Sequence, residues 1–259
     1  MILRMLAGVA VLYVLAIGYM YLTQDDRIFP IKYVLKEAPP MNDAISPLSL
    51  HVADDAILDG VLKKDEEPNA PLILYFGGNG DDATHFAVQS PQGYDMIAFN
   101  YRGYVGSTGK PSEEALFQDA LKIYDHYAKG RKVFVIGRSL GTCVATFLAS
   151  KRVVDGLILI TPYDSILSLA QRKYPFFPVA VLLNHPFETT HYLPFVSAPI
   201  GIIEVENDGM IPRYHLEKLL EAMPCEPMHV VLTQTTHQKV LDDPNFIPQL
   251  QILLGKMDE

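Results

Sequence analysis

The sequence feature that most restricts the fold is a glycine-rich turn between an apolar strand and a helical stretch. The turn is Gly137-Arg138-Ser139-Leu140-Gly141, with an apolar run before it at residues 132–137 and a helical pattern after it at 140–151. A G-x-S-x-G pattern at a strand-to-helix junction is typical of a nucleophile elbow, in which a strained turn lifts the serine oxygen above a sheet. Glycines on both sides let the neighbouring backbone pass without a clashing Cβ. The pattern predicts Ser139 as a nucleophile.

Apolar runs alternate with helical patterns along the rest of the chain, which indicates a mostly parallel sheet covered by helices. Residues 48–62 are typical of two antiparallel strands that open the sheet. Helical patterns cover 112–129, 140–151 and 214–222. The sequence predicts a doubly wound α/β fold with further strands at residues 71–76, 96–101, 132–137, 156–160, 200–205 and 228–232.

The N-terminus carries an unbroken uncharged run from Met5 to Leu22. About 18 apolar residues is close to the lower limit for crossing the hydrocarbon core of a bilayer. Tyr19 and Tyr21 stand at its C-terminal edge, where aromatic residues favour the membrane interface. We predict a single-pass signal anchor at 1–24, a linker at 25–45 and a catalytic domain at 46–259. A large domain can translocate regardless of flanking charge, and we expect it on the non-cytoplasmic side.

Composition narrows the function classes. Hydrophobic residues make up 49% of the 259, enough for a sizeable core, and the formal net charge is −9. A net negative charge repels the phosphates of nucleic acid, so we expect no nucleic-acid partner.

A nucleophilic serine needs a base and an orienting acid, in the chain order serine, acid, histidine for a turn of this kind. His237 lies just beyond the last predicted strand, where such a base belongs. Two aspartates that follow strands compete for the acid, Asp208 and Asp164, whereas Glu204 and Glu206 lie within or too near a strand.

The other histidines in helical and strand segments are expected to have no part in catalysis. His229 falls within or before the last strand and is expected to be structural. We expect surface or lid positions for His185, His191 and His215.

The developing oxyanion requires two backbone N–H donors. Leu140, directly after the nucleophile, supplies one, and we expect the second from Asn79 in the loop Gly77-Gly78-Asn79-Gly80 after the strand at 71–76. Chemistry of this kind needs no metal and no organic cofactor.

The same loop formally satisfies a dinucleotide fingerprint, G-x-G-x-x-G/A, at Gly78 to Ala83. Asp81 and Asp82 would then stand where a helix N-terminus holds pyrophosphate, and like charges repel there. The next strand ends in Asn100-Tyr101-Arg102, without an acid for a ribose. An oxidoreductase is therefore a poor alternative.

Several segments resemble those of membrane-anchored α/β-hydrolases, a group that includes bacterial serine esterases and, more distantly, protein depalmitoylases. The most specific is residues 100–113, similar to the group's N-Y-R-G-Y-G-x-S-x-G-x-P-S-E segment, and Ile28-Phe29-Pro30 resembles the segment after the anchor. The run Asp208 to Pro212 is similar to the acid loop D-x-x-V/I-P and favours Asp208 over Asp164. Gly77 and Val105 depart from the usual histidine and glycine.

The resemblance implies an α/β-hydrolase fold with a small helical lid and hydrolysis of a carboxylic ester or thioester. We assign the lid to about residues 166–197, an apolar, proline-bearing stretch between two strands. The expected substrate is a small-molecule or lipid-like ester, and the membrane is the expected partner through the N-terminal helix. A serine peptidase and an inactive membrane-anchored binding module remain as alternatives.

Overall fold

Eight strands form one sheet in the order β1-β2-β4-β3-β5-β6-β7-β8 in the computed structural model, which describes residues 1–34 and 44–258. β2 pairs antiparallel with β1 and β4, and all other neighbours are parallel. The predicted doubly wound, mostly parallel fold is confirmed. The strands are β1 (Ile45–Ala53), β2 (Ala56–Lys63), β3 (Leu72–Phe76), β4 (Asp95–Phe99), β5 (Val133–Arg138), β6 (Gly156–Ile160), β7 (Ile200–Val205) and β8 (Met228–Leu232).

Helices connect the strands and cover both faces of the sheet. The sequence patterns located α4, α5 and α9 to within about two residues, the usual uncertainty of a helix boundary, but did not indicate α10. The α-helices are α1 (Ile2–Leu22), α2 (Gln24–Ile28), α3 (Thr84–Val88), α4 (Glu113–Tyr127), α5 (Leu140–Lys151), α6 (Ile166–Lys173), α7 (Val179–Leu182), α8 (Thr189–Tyr192), α9 (Arg213–Glu221) and α10 (Phe246–Asp258).

The core is divided by the sheet into two clusters. Successive side chains of a strand point to opposite faces, and in β3 Leu72, Leu74 and Phe76 join one cluster while Ile73 and Tyr75 join the other. Every residue of β3, β5, β6 and β7 is buried, as expected for parallel strands covered on both sides. The carboxyl ends of these strands therefore form one rigid edge.

The N-terminal segment has an exposed part and a packed part. α1 is long and apolar enough to cross a membrane, and none of its residues is buried, although a signal sequence has the same character. The following residues belong to the fold, because Ile28, Phe29 and Val34 lie in the larger core cluster. The remainder of the predicted linker, residues 35–43, falls outside the described residues.

Between β6 and β7, the lid contains α6, α7 and α8. α6 and α7 bury none of their residues. One attachment to the core is a turn at Phe187, a fully buried residue with φ 41°. Its amide donates to Oε2 of Glu113 at the start of α4, over 3.0 Å. A non-glycine residue at positive φ costs on the order of 1–3 kcal/mol, so this contact holds a turn that the backbone alone disfavours.

Glu113 makes the attachment pH-sensitive. Burial raises the pKa of Glu113 from 4.5 to about 7, and the nearby Glu188 charge adds to the rise, against the lowering effect of the Phe187 amide. A pKa raised in the folded state favours the protonated form, so its contribution to stability is complete below pH 4.5 and is lost as the pH rises through about 7.

We predict that Glu113→Gln, which keeps an acceptor for the Phe187 amide but cannot ionise, becomes more stable relative to the parent as the pH rises from about 5 to 8. The difference in Tm at each pH measures this. Glu114→Gln, at the exposed neighbouring position, is the control and should give a Tm difference that does not change with pH. A pH-independent difference for Glu113→Gln as well would contradict the prediction.

Candidate active site

Ser139 stands at the sharp turn between β5 and α5. Its backbone has φ 48° and ψ −116°, and its amide donates to the Ile160 carbonyl over 2.9 Å. A Cβ at Gly137 would overlap the carbonyl of Gly141, and a Cβ at Gly141 would overlap the carbonyl of Phe76. Only glycine fits at these two positions, and the elbow glycines thus allow α5 to start directly against the sheet.

His237 and Asp208 come to Ser139 from loops after the last two strands. His237 Nε2 lies 3.0 Å from Ser139 Oγ, and His237 Nδ1 lies 2.6 Å from Asp208 Oδ2. The other carboxylate oxygen of Asp208 accepts from the amides of Met210 and Ile211, each over 2.8 Å. Three residues predicted separately are thus joined in one hydrogen-bonded series.

The pKa of Asp208 reflects these contacts. Burial alone would raise it, but the hydrogen bond and charge of His237 and the two loop amides outweigh burial and lower the pKa below its usual value. The carboxylate is therefore ionised at neutral pH and can accept a hydrogen bond from the N–H of the His237 imidazole.

Asp164, the rival acid, lies against a different histidine. Its Oδ1 is 2.8 Å from Nδ1 of His215, which is completely buried on α9. The expectation that His215 occupies a surface or lid position is therefore wrong. A buried imidazole requires a polar partner, and Asp164 supplies it. His191 is exposed on α8, and His185 is half-buried in the lid with Nε2 3.3 Å from Asp25.

The second polar pair near the edge of the sheet involves Glu204. His229 Nε2 lies 2.9 Å from its Oε2, and Arg213 Nη1 lies 2.8 Å from its Oε1. The Glu204 carboxylate therefore has its own side-chain neighbours, His229 and Arg213, and is not bonded to His237.

The loop after β3 is fastened by the tyrosines of the segment at residues 100–113. Tyr101 donates its hydroxyl hydrogen to the Gly77 carbonyl and Tyr104 to the Asn79 carbonyl, each over 2.8 Å. Asn79 and Leu140 both line the cavity that holds Ser139. The two tyrosines thus fix the carbonyls of Gly77 and Asn79 in a loop that borders the cavity of Ser139.

Asp81 occupies the loop in a way that disfavours the dinucleotide alternative. The amide of Gly78 donates to Asp81 Oδ2 over 2.6 Å, so the carboxylate already takes the place that a phosphate oxygen would need. α3, which follows, has only five residues.

Arg138 is a site residue that the sequence analysis did not single out. It is 6% exposed, pairs through Nη1 with Asp81, and donates from Nη2 to the His237 carbonyl over 2.9 Å. The sequence signal was available, since an arginine at the end of a buried strand needs partners for its charge. Arg138 thus joins the loop after β3 to the loop that carries His237.

We predict that Arg138→Met destabilises the protein by about 3–5 kcal/mol, because it leaves the carboxylate of Asp81 without its partner. Unfolding in urea, followed by far-UV circular dichroism, measures this. The matched control is Arg152→Met, which breaks an exposed pair with Asp125 and should cost less than about 1 kcal/mol. Equal effects of the two substitutions would show that the buried pair of Arg138 and Asp81 contributes no more to stability than an exposed pair.

A cavity of about 670 Å³ opens above Ser139 and His237. Its walls are mostly apolar and come from the lid, the loop of residues 209–212 and the N-terminal residues Met20 to Ile28. No sequence pattern indicated the N-terminal contribution, because a uniformly apolar helix carries no information about which part of the domain it contacts.

The chain resembles known proteins both in sequence and in structure. A family model described as the alpha/beta hydrolase fold matches residues 76–184. An uncharacterized protein of Mycobacterium tuberculosis is 28% identical over 179 residues, 65% of this chain and 63% of that protein. The lysophosphatidylserine lipase ABHD12 of Xenopus tropicalis is 34% identical over 178 residues, 58% of this chain and 46% of the lipase. The chain thus matches under half the length of that lipase.

Solved structures agree on the fold. An esterase of Pyrococcus furiosus superposes with a TM-score of 0.64 at 14% identity and covers 87% of this chain and 98% of the esterase. Mouse alpha/beta hydrolase domain-containing protein 10 gives a TM-score of 0.60 at 19% identity, over 82% of this chain and 98% of that one. Taken with the sheet order and the elbow, these matches show that the chain has the α/β-hydrolase fold.

Proposed function

We propose that the chain is a membrane-anchored serine hydrolase that cleaves carboxylic esters or thioesters through an acyl-enzyme. Ser139 is the nucleophile, His237 the general base and acid, and Asp208 the group that orients the imidazole. The amides of Leu140 and Asn79 form the oxyanion hole.

The observation that carries the proposal is the continuous contact from Ser139 Oγ to His237 Nε2, 3.0 Å, and from His237 Nδ1 to Asp208 Oδ2, 2.6 Å. Both distances lie within the range for proton transfer along a hydrogen bond. Because Asp208 accepts Nδ1–H, Nε2 of the neutral ring is free to accept the serine proton.

In the first half-reaction Ser139 Oγ attacks the carbonyl carbon while His237 Nε2 takes its proton. The carbonyl oxygen becomes an oxyanion, which the two amides stabilise with their N–H groups. The imidazolium, stabilised by Asp208, then gives the proton to the departing alkoxide or thiolate, and the acyl group remains on Ser139.

In the second half-reaction water attacks the acyl-enzyme. His237 removes a proton from the water, a second oxyanion forms at the same amides, and its collapse releases the carboxylic acid and returns the proton to Ser139 Oγ. All proton transfers pass through one nitrogen, and no step needs a metal or an organic cofactor.

The cavity supports a lipid-like acyl ester as substrate. Its lid wall includes Leu169, Phe177, Val179 and Leu182, and each methylene that an acyl chain buries there contributes about 0.8 kcal/mol. The similarity to a lysophosphatidylserine lipase agrees with this class. A peptide would have to leave its backbone amides unpaired against the same walls, which disfavours a peptidase.

The hydrophobic helix α1 supports single-pass attachment, since it is long and apolar enough to cross a membrane and none of its residues is buried. We place the catalytic domain on the non-cytoplasmic side, because a large domain can translocate regardless of flanking charge. Alkaline extraction of membranes tests the attachment, because salt or alkali would release a peripheral helix and leave a spanning one in place.

We predict that Ser139→Ala abolishes labelling by a fluorophosphonate and lowers ester hydrolysis by several orders of magnitude, on the order of 10³ or more, because the nucleophilic oxygen is removed. The Tm should be unchanged. Ser150→Ala, far from the cavity on α5, is the control and should label like the parent. Full labelling of Ser139→Ala would refute the nucleophile assignment.

We predict further that Asp208→Asn lowers kcat by on the order of 10⁴, as expected for loss of the carboxylate that fixes the imidazole. Asp164→Asn should lower kcat far less, because Asp164 contacts His215 and has no contact with His237. Steady-state kinetics on one soluble ester compare the two variants, with Tm values to separate stability from catalysis. The opposite ranking would assign the acid to Asp164.

A further inference from the structure

The end of the N-terminal helix is part of the active-site wall. Met20, Tyr21, Gln24, Arg27 and Ile28 line the same cavity as Ser139 and His237. The first two belong to α1, whose apolar side chains are unburied, and the other three to α2 directly after it. A helix that served only as a tether would have no reason to reach the substrate cavity.

Gln24 fastens this wall to the lid. Its side chain is buried, with Nε2 donating to the Leu182 carbonyl over 3.1 Å and Oε1 accepting from the Asn184 amide over 2.8 Å. One side-chain amide thus bonds to both a carbonyl and an N–H of the lid backbone. These two hydrogen bonds fix the position of α2 relative to α7.

A second contact lies deeper along α1. The Tyr13 hydroxyl donates to the Phe176 carbonyl over 2.6 Å, and the Tyr13 and Phe177 rings lie 5.9 Å apart. Tyr13 precedes Leu22 by nine residues, about 13 Å along a helix axis. The hydrocarbon core of a bilayer is about 30 Å thick, so a spanning α1 brings this part of the lid well below the membrane surface.

The lid presents apolar side chains at the same place. Phe176 and Val181 are both 83% exposed. Phe176 directly precedes Phe177, whose ring contacts Tyr13 of α1, and Val181 directly precedes Leu182, whose carbonyl accepts from Gln24 of α2. Their exposed surface therefore adjoins the unburied helix. Water is an unfavourable environment for such a patch, and a bilayer is a favourable one.

The charged side chains that line the cavity suit a phospholipid surface. Arg27, Arg172 and Lys173 line the cavity, whereas no aspartate or glutamate is among the described residues that line it. Cations beside an apolar surface match the arrangement of phosphate headgroups over acyl chains.

We propose that the active-site cavity opens into the phospholipid bilayer between the end of α1 and the lid, so that an ester dissolved in the membrane enters without passing through water. Its acyl chain passes between Met20 and the apolar lid wall, and its headgroup remains near Arg27. This inference rests on the proposed ester hydrolysis for its kinetic test, and its spectroscopic test is independent of any activity.

The absence of tryptophan from the sequence allows a direct spectroscopic test. Phe176→Trp in the full-length protein, reconstituted in phosphatidylcholine vesicles, should show blue-shifted emission that lipids brominated on the acyl chain quench. The control is Val153→Trp, 87% exposed on the loop before β6, at the opposite end of the parallel strands. It should show water-like emission without quenching. Water-like, unquenched emission at position 176 would overturn the proposal.

The kinetic test substitutes Met20 in the cavity wall. Met20→Trp narrows the cavity and should lower kcat/KM for long-chain esters about tenfold more than kcat/KM for the acetyl ester. Tyr19→Trp, an adjacent exposed residue that does not line the cavity, should keep the parental chain-length profile. An unchanged profile for Met20→Trp, or an equal loss at every chain length, would overturn the role of Met20.

The two tests separate this inference from the proposed function. If the parent protein hydrolysed no ester and Ser139 did not label, the proposed function would fail, and the emission of the Phe176→Trp protein would still decide whether the cavity mouth lies in the bilayer. If Ser139 labelled and the tryptophan at position 176 remained in water, the hydrolase assignment would stand and the membrane opening would be refuted.

Discussion

The close approach of α5 to β3 is the constraint on which the site depends. The backbone of Gly141 passes so near the Phe76 carbonyl that no side chain fits, and the backbone of Gly137 is equally crowded by Gly141. The chain can make this approach only by turning sharply at Ser139, whose φ of 48° costs on the order of 1–3 kcal/mol. The flanking strand and helix are almost entirely buried, and their packing offsets the strain.

The order of the parallel strands then brings His237 and Asp208 to Ser139. β6, β7 and β8 follow β5 across the sheet, so that loops after β7 and β8 end beside the elbow. Arg138 adds a link that strand register alone does not supply, because it connects the Asp81 carboxylate with the His237 carbonyl from the position directly before Ser139. The loop that carries the proposed base and the loop that carries Asn79 are therefore positioned by one buried cation.

Sequence patterns located the sheet well, because buried parallel strands are short apolar runs that end in polar or glycine residues. They could not choose between Asp208 and Asp164, since both follow a strand, and only the resemblance to known acid loops favoured the first. His215 was misplaced for a related reason. A histidine on an amphipathic helix is compatible with either face, and its partner Asp164 lies 51 residues away.

The contacts between the N-terminal segment and the lid could not be predicted from the sequence either, because they join residues that lie far apart in the chain. Gln24 bonds to a lid carbonyl 158 residues later, and no local pattern encodes such a pairing. Composition could establish that α1 is apolar, but a uniformly apolar helix has no polar face whose direction would indicate what it packs against.

The elements around Ser139 are far more buried than the lid. Ten residues of α5 are buried, whereas α6 and α7 bury none. Polar contacts of the lid include those of Leu182 with Gln24, Phe176 with Tyr13 and Ser168 with His215. Segments with few buried contacts open at a lower free energy than the core around them. The lid can therefore separate from the N-terminal helix without disturbing Ser139, His237 or Asp208. Under the proposed function, substrate entry and bond cleavage take place in parts of the fold that differ in burial, so that the cavity walls can adjust to an acyl chain while the reacting groups keep their geometry.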